Sequence, residues 1–158
     1  VHIIHEPDPE ALDLIERFCE EYQIRLAIHN HGKDISPEYW DPANVLKLTD
    51  GRSPLVGACG DIGYWVRSGI DPEGAIRLLG NRLITVQMHE LDRISAEGRD
   101  VPWGTGDNNV GRLLEIIREE NINPALIGLE YSRDWGSNLP EIKESMEFFN
   151  ERVIRLAN

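Results

Sequence analysis

Short, almost wholly apolar runs alternate along the chain with segments that carry helix-start signals. These runs cover residues 1–5, 24–28, 54–58, 83–88 and 125–129. Continuous apolar runs are typical of strands that are covered on both faces, as in parallel sheets. Their alternation with helical segments predicts right-handed β–α–β units in a single α/β domain over residues 1–158.

Three of the helical segments begin with the same dipeptide, in which Asp is followed by Pro. The pairs are Asp8-Pro9, Asp41-Pro42 and Asp71-Pro72. Asp is a favoured N-cap residue, and Pro is favoured at the first helical position. Two further helices are predicted over residues 108–120 and 140–156. The longest irregular stretch, residues 92–107, follows a strand and is therefore a candidate functional loop.

The charge balance limits the classes of partner. The chain has 28 Asp and Glu residues against 16 Lys and Arg residues, a formal net charge of −12. A chain this acidic repels phosphate backbones, so we expect no nucleic-acid partner. No apolar run approaches the ~18 residues of a membrane helix, so we expect no membrane span. The two cysteines lie outside any CxxC spacing, which favours a reducing, cytoplasmic location.

The start of the chain resembles the middle of a strand. It begins with Val1 rather than Met and continues directly into an apolar run. We therefore expect that it lacks an N-terminal part of a longer protein. If it stands alone, its open sheet edges have to pair with a second copy, so a homo-oligomer is possible.

Titratable side chains follow four of the five apolar runs. They are His29, His31, Asp61, His89, Glu90 and Glu130. The carboxyl ends of parallel strands are where α/β proteins bind their ligands. Imidazoles and carboxylates that converge there predict a divalent metal site. Strand ends are also polar simply because they lead into loops, and for each residue alone this alternative stays open.

Two pairs of these residues have the spacing that places side chains on one face of a strand. His29 and His31 are related as i and i+2, and so are Gln87 and His89. Each pair can point toward one metal ion or one sugar.

Aromatic and basic residues in the predicted loops are further candidates. Trp65 and Trp103 can form walls against sugar faces, or can pack loops onto the end of the sheet. Arg67, Arg93 and Arg133 can hold a phosphate or carboxylate group, or lie on the surface.

Four segments together carry a family resemblance. They are residues 26–31 (LAIHNH), 57–69 (GACGDIGYWVRSG), 101–106 (VPWGTG) and 128–131 (GLEY). The chain resembles the sugar phosphate isomerase/epimerase family of xylose isomerase-like TIM barrels, in order and over nearly its whole length. The resemblance implies a (β/α)8 barrel of which this chain covers about strands 4 to 8.

The family holds a divalent metal with Glu, Asp, His and Glu at the ends of strands five to eight. By position, Asp61 matches the Asp and Glu130 matches the last Glu. The first Glu position falls on His29 and the His position falls on Gln87. Tyr64 stands where many relatives carry a His.

The resemblance therefore implies a divalent cofactor, which would be Mn, Mg, Co or Zn. The expected ligands come from Asp61, Glu130, His29, His31 and His89.

The implied activity is isomerisation or epimerisation of a small sugar or sugar phosphate. A proton would move next to a carbonyl through an enediolate, with Glu130 and His29 as the catalytic groups. The expected substrate contacts are Gln87, Tyr64, Trp65, Trp103 and Arg67.

Two alternatives share the same fold. A non-catalytic carbohydrate-binding protein is suggested by Gln87 and Tyr64, which bind hydroxyl groups well and soft metals poorly. An abasic-site endonuclease is disfavoured by the net charge of −12 and by the lack of a basic stripe.

Overall fold

Five parallel strands form one sheet whose spatial order follows the order along the chain. A computed structural model describes the backbone of residues 1–157 and the side chains of residues 1–155. The strands are His2–His5 (β1), Leu26–His29 (β2), Val56–Asp61 (β3), Leu83–Met88 (β4) and Leu126–Leu129 (β5). This arrangement corresponds to five consecutive units of a (β/α)8 barrel, which confirms the predicted fold class.

Helices follow each strand. They are Pro9–Tyr22 (α1), Pro42–Thr49 (α2), Ile62–Arg67 (α3), Pro72–Leu79 (α4), Val110–Glu119 (α5) and Leu139–Ala157 (α6), with a short 3-10 helix at Gly80–Arg82. Among the residues described, none of the helices is both long and apolar enough to cross a membrane.

The Asp-Pro pairs start helices as predicted. Asp8, Asp41 and Asp71 are the N-caps of α1, α2 and α4, and Pro occupies the first turn in each case. Each carboxylate accepts a backbone N–H from two residues further along, at 2.9 to 3.2 Å. These bonds satisfy amides that have no partner inside the helix.

Helix α3 is an element that the sequence did not predict. Strand β3 extends to Asp61, beyond the predicted end at residue 58, and α3 begins at the next residue. Asp61 Oδ1 accepts the backbone N–H of Tyr64 at 2.8 Å and caps this helix. Because a helix of six residues is too short to show a periodic pattern, the sequence did not indicate α3. Tyr64 and Trp65 therefore lie on a helix instead of in the predicted loop.

The two faces of the sheet differ in the size of their buried clusters. Ile28 and Met88 are fully buried against the helices, in a large core that includes Ile76 and Leu113. Ala27, Cys59 and Ile84 form a separate and much smaller buried cluster.

The strand register brings the carboxyl ends together at one edge. His29 pairs with Cys59 of the next strand, and Asp61 pairs with Gln87 of the strand after it. The residues at the ends of β2, β3 and β4 therefore lie side by side, which is what a shared site requires.

Strands β1 and β5 are the edges of this sheet. Phe18 beside β1 is 49% exposed, and Leu126 of β5 is 57% exposed. Such edges are where a further β/α unit or a second chain would pair, so the homo-oligomer stays a prediction.

Two residues of α4 provide a test of the core. Ile76 is completely buried, whereas Leu78 is 46% exposed on the same helix. We expect Ile76→Ala to lower the free energy of unfolding by about 2–5 kcal/mol because it removes buried methyl groups and leaves a cavity. Leu78→Ala is the matched control and should change it by less than about 1 kcal/mol. Urea titration measures both, and equal effects would contradict the assigned helix face.

Candidate metal centre

Three side chains from successive strands converge at the carboxyl edge of the sheet. Asp61 ends β3, His89 directly follows β4, and Glu130 directly follows β5. His89 Nε2 lies 3.5 Å from Asp61 Oδ2 and 3.8 Å from Glu130 Oε2. One ligand atom from each residue fits within 4.8 Å of the others, a spacing that suits a shared cation.

Two atoms of this cluster are buried without a hydrogen-bond partner among the described residues. They are Asp61 Oδ2 and His89 Nε2, which face each other. Asp61 is 0% exposed and His89 is 2% exposed. A buried polar atom without a partner is costly, and a bound cation would satisfy both atoms at once. The donor set of two carboxylates and one imidazole therefore fits a divalent metal.

Asp61 is positioned by Asn30, the central residue of the His-Asn-His segment. The Asn30 side chain accepts the backbone N–H of Asp61 at 2.7 Å and donates to its backbone carbonyl at 3.1 Å. Because Asp61 Oδ1 is used to cap α3, only Oδ2 is free to face the cluster.

His89 is positioned by Asp100, which lies in the loop predicted to be functional. The His89 Nδ1 and the Asp100 Oδ1 are 2.6 Å apart. Asp100 Oδ2 accepts the backbone N–H of Ser132 at 3.1 Å and also the Ser132 hydroxyl. A carboxylate on one ring nitrogen fixes the ring and directs the other nitrogen, Nε2, toward the cluster.

The charges of His89 and Asp100 depend on each other. Burial alone would lower the pKa of His89, but the hydrogen bond to Asp100 and the carboxylate of Asp61 outweigh it and raise the pKa to about 9. Burial alone would raise the pKa of Asp100, but the bond from His89 outweighs it and lowers the pKa to about 2. At neutral pH the metal-free site therefore holds an imidazolium at His89 beside the ionised carboxylate of Asp100.

Glu90 is next to His89 in sequence but faces away from this cluster. Its carboxylate accepts the backbone N–H groups of Gly104 and Gly106. Burial raises the pKa of Glu90, although these amide bonds oppose the shift. Glu90 therefore fastens the loop of residues 92–107 to the end of β4. Gly104 has a φ of +89°, a left-handed conformation that favours glycine.

His29 and Gln87 contact each other at the edge of the cluster. His29 Nε2 and Gln87 Oε1 are hydrogen-bond partners. His29 Nε2 is also 3.6 Å from Asp61 Oδ2, so His29 borders the cluster on the β2 side. To bind a metal through Nε2, His29 would have to give up its bond to Gln87.

His31 lies further out, beside β1. Its Nδ1 is 2.5 Å from the Nδ1 of His5, and its ring packs against the rings of His29 and Tyr64. Burial lowers the pKa of His31, and the neighbouring histidines add to the effect. His31 is not one of the three clustered residues Asp61, His89 and Glu130, and its role as a ligand stays a prediction.

Both candidate tryptophans are core residues. Trp65 is 1% exposed and packs against Gly60, where any larger side chain would collide with its ring. Trp103 is 3% exposed and meets Phe149 edge to face. The burial of both rings agrees with the packing role that the sequence left open, and the contact of either ring with a sugar stays a prediction.

Arg67 contacts the loop of residues 92–107, including Asp100, the residue that orients His89. Its Nε donates to the backbone carbonyl of Gly98 at 3.0 Å, and its Nη2 is 3.5 Å from Asp100. Gly63 permits this arrangement because a Cβ there would meet both Arg67 Nη1 and the His89 ring at 2.8 Å. Arg67 therefore runs beside the ring of His89.

Sequence reasoning did not identify the residues that orient the cluster. Asn30 and Asp100 contact members of the cluster, and Ser132 binds Asp100. None of the three combines a typical metal-ligand side chain with a position at a strand end. Asn30 was visible between two candidate histidines, and Asp100 was visible in the long loop. Asn30 contacts a residue 31 positions away in the chain, and Asp100 contacts one 11 positions away. Residue spacing in the sequence does not reveal contacts of this kind.

Solved structures of other proteins share this architecture. An uncharacterised protein from Parabacteroides distasonis is 35% identical, with a TM-score of 0.65, and the match covers 96% of this chain and 58% of that one. A D-tagatose 3-epimerase-like protein is 20% identical, with a TM-score of 0.67 and coverage of 96% and 63%. The IolI protein with a bound zinc atom is 14% identical, with a TM-score of 0.67 and coverage of 98% and 64%.

The chain spans about three fifths of the length of these proteins. A search of curated protein sequences gives no match. A family profile described as xylose isomerase-like TIM barrel matches residues 10–152. With five consecutive parallel β/α units and a profile match over most of its length, the chain belongs to the xylose isomerase-like TIM barrel family.

Proposed function

We propose that this chain is part of a metal-dependent isomerase or epimerase of sugars or sugar phosphates. The observation that carries the proposal is the pair of buried, unpartnered ligand atoms, Asp61 Oδ2 and His89 Nε2, with Glu130 beside them. The D-tagatose 3-epimerase-like protein and the zinc-bound IolI protein support it as neighbours in fold.

Asp61, His89 and Glu130 would hold the ion. Two oxygens and one nitrogen suit Mn, Mg, Co or Zn, and the geometry does not favour one of them. When bound, such an ion polarises a substrate carbonyl and stabilises the negative charge that develops on its oxygen. His29 is a further candidate ligand if it releases Gln87.

Glu130 and His29 would move the proton. Glu130 is partly exposed, and one of its oxygens would take the proton from the carbon next to the carbonyl. The C–H electron pair then forms the double bond of the enediolate. Because Gln87 Oε1 accepts from His29 Nε2, the basic nitrogen of His29 is Nδ1, which is buried without a partner among the described residues. Once this nitrogen carries a proton, His29 would donate it to the same carbon from the other side, and Nδ1 would keep the free electron pair.

Gln87 and Tyr64 would contact the hydroxyl groups of the sugar. Both lie beside His29, Gln87 through the hydrogen bond and Tyr64 through an edge contact of the rings at 6.3 Å. Amide and phenol groups both donate and accept, as a sugar hydroxyl requires.

Glu130→Gln tests the proton transfer. We expect it to slow exchange of the substrate's C–H proton with deuterated water by about 10²–10⁴-fold, since the amide cannot accept the proton. NMR on a panel of ketoses and their phosphates measures the exchange. Glu147→Gln, an exposed residue of α6, is the control and should leave the rate unchanged. Elemental analysis of both variants separates loss of the base from loss of the ion, and unchanged exchange in Glu130→Gln would rule out its assigned role.

A carbohydrate-binding protein without a metal is the second candidate. The direct bond between His29 and Gln87 favours it, because these two groups satisfy each other with no ion between them. Metal content before and after dialysis against a chelator distinguishes the two candidates. About one ion per chain supports the enzyme, whereas sugar binding that is indifferent to the chelator supports the second candidate.

Asp100→Asn tests how His89 is held. We expect it to weaken metal binding by about 10–100-fold, because the ring loses the carboxylate that orients it. Competition with a chromogenic chelator measures the affinity. Asp92→Asn in the same loop is the control, since Asp92 contacts only Arg93 and the backbone of Arg99 in the described structure. Equal affinities in the two variants would contradict the positioning role.

Metal affinity should also depend on pH. The raised pKa of His89, about 9, means that the metal-free site keeps a proton at neutral pH, and an ion has to displace it. The affinity should therefore rise by roughly tenfold per pH unit up to about pH 9 and then level off. The same chelator competition, repeated across this range, measures it. An affinity independent of pH between about 6.5 and 9 would contradict the displacement of a proton from His89 by the ion.

A further inference from the structure

A pocket of about 320 Å³ lies beside the metal centre and is rich in arginine. It is lined by Arg67, Gly98, Arg99, Asp100, Ser132 and Arg133. Three of the lining residues are arginines and one is an aspartate, in a chain where acidic residues outnumber basic ones by 28 to 16. This local excess of positive charge is the reverse of the overall balance.

The single carboxylate of the pocket is already neutralised by other groups. Asp100 binds His89 with one oxygen and Ser132 with the other. Arg67 Nη2 is 3.5 Å from the second oxygen as well. An entering anion would therefore meet the arginines without strong repulsion from Asp100.

Two of the arginines keep donors available. Arg133 uses Nε to bind Asp134 at 3.1 Å, and its two Nη groups are not part of that bond. Arg99 is exposed. Asp92 Oδ1 accepts the backbone N–H of Arg99 at 2.9 Å, and this bond fixes the point from which the Arg99 side chain extends. Guanidinium groups bind phosphate and carboxylate oxygens in pairs of hydrogen bonds.

The pocket also lies where barrel enzymes often bind phosphate. Gly98, Arg99 and Asp100 belong to the loop after β4, and Ser132 and Arg133 belong to the loop after β5. The family resemblance aligns these two strands with strands seven and eight of the barrel, and the loops after those strands frequently form a phosphate site in TIM barrels. Asp100 connects the pocket to the ring of His89, so a ligand in the pocket would lie next to the metal centre.

We propose that this pocket binds the phosphate group of a phosphorylated sugar. This inference rests on the proposed function, because it names the class of substrate for the same site. The phosphate oxygens would accept from Arg99 and Arg133, while the carbonyl end of the sugar reaches the Asp61–His89–Glu130 cluster.

Calorimetric titration with inorganic phosphate tests the pocket without knowledge of the sugar. We expect saturable binding that weakens by about tenfold or more in Arg99→Met and in Arg133→Met, because each variant removes one guanidinium and keeps a similar side-chain length. Arg93→Met is the matched control. Arg93 is in the same loop, but it pairs with Asp92 and does not line the pocket.

The outcomes separate this inference from the proposed function. Absence of saturable phosphate binding, or equal binding in all three variants, would overturn the inference. Acetate that binds more tightly than phosphate would also overturn it, in favour of a sugar acid. Phosphate binding that is kept in Glu130→Gln, together with lost proton exchange, supports both. Phosphate binding by a protein that exchanges no substrate proton would support the pocket and overturn the proposed function.

Discussion

The two hydrogen bonds between the Asn30 side chain and the backbone of Asp61 are the constraint on which the rest of the site depends. They join the ends of β2 and β3, strands from different β/α units. Asp61 Oδ1 is then used to start α3, and Oδ2 is left to face His89. One carboxylate thus serves both the fold and the candidate metal centre. A substitution at Asp61 would therefore change the helix as well as the site, whereas one at Glu130 would mainly change the site.

His89 illustrates how the protein holds a charge that its interior does not favour. An imidazole that is 2% exposed would ordinarily lose its proton, because burial disfavours the charged form. Asp61 and Asp100 reverse this outcome from opposite sides of the ring. Without an ion, the proton on His89 reduces the repulsion between the buried carboxylates. A divalent cation would carry out the same electrostatic task with twice the charge, so proton and metal are alternatives for one position.

The sequence predicted the elements with strong local signals. The Asp-Pro helix starts and the parallel order of the strands were readable because capping and apolar runs are local properties. Helix α3 was not readable, since six residues are too few for a period. The sequence predicted that Asp61, His89 and Glu130 lie at strand ends, and they do. It also favoured His89 over Gln87 as a ligand, because Gln binds soft metals poorly, but it could not show how the His89 ring is oriented. Asp100 fixes that orientation from the loop after the strand, where the fold brings it to His89 Nδ1.

The loop of residues 92–107 connects these features, because hydrogen bonds hold both its first and its second half. Glu90 binds its second half through the amides of Gly104 and Gly106, and Arg67 binds Gly98 in its first half. Asp100 lies between these attachments and reaches His89. Held in this way, the loop forms one wall of the arginine pocket and orients the ring of His89 at the same time. The arginine pocket and the candidate metal centre therefore share the Asp100 carboxylate as a neighbour.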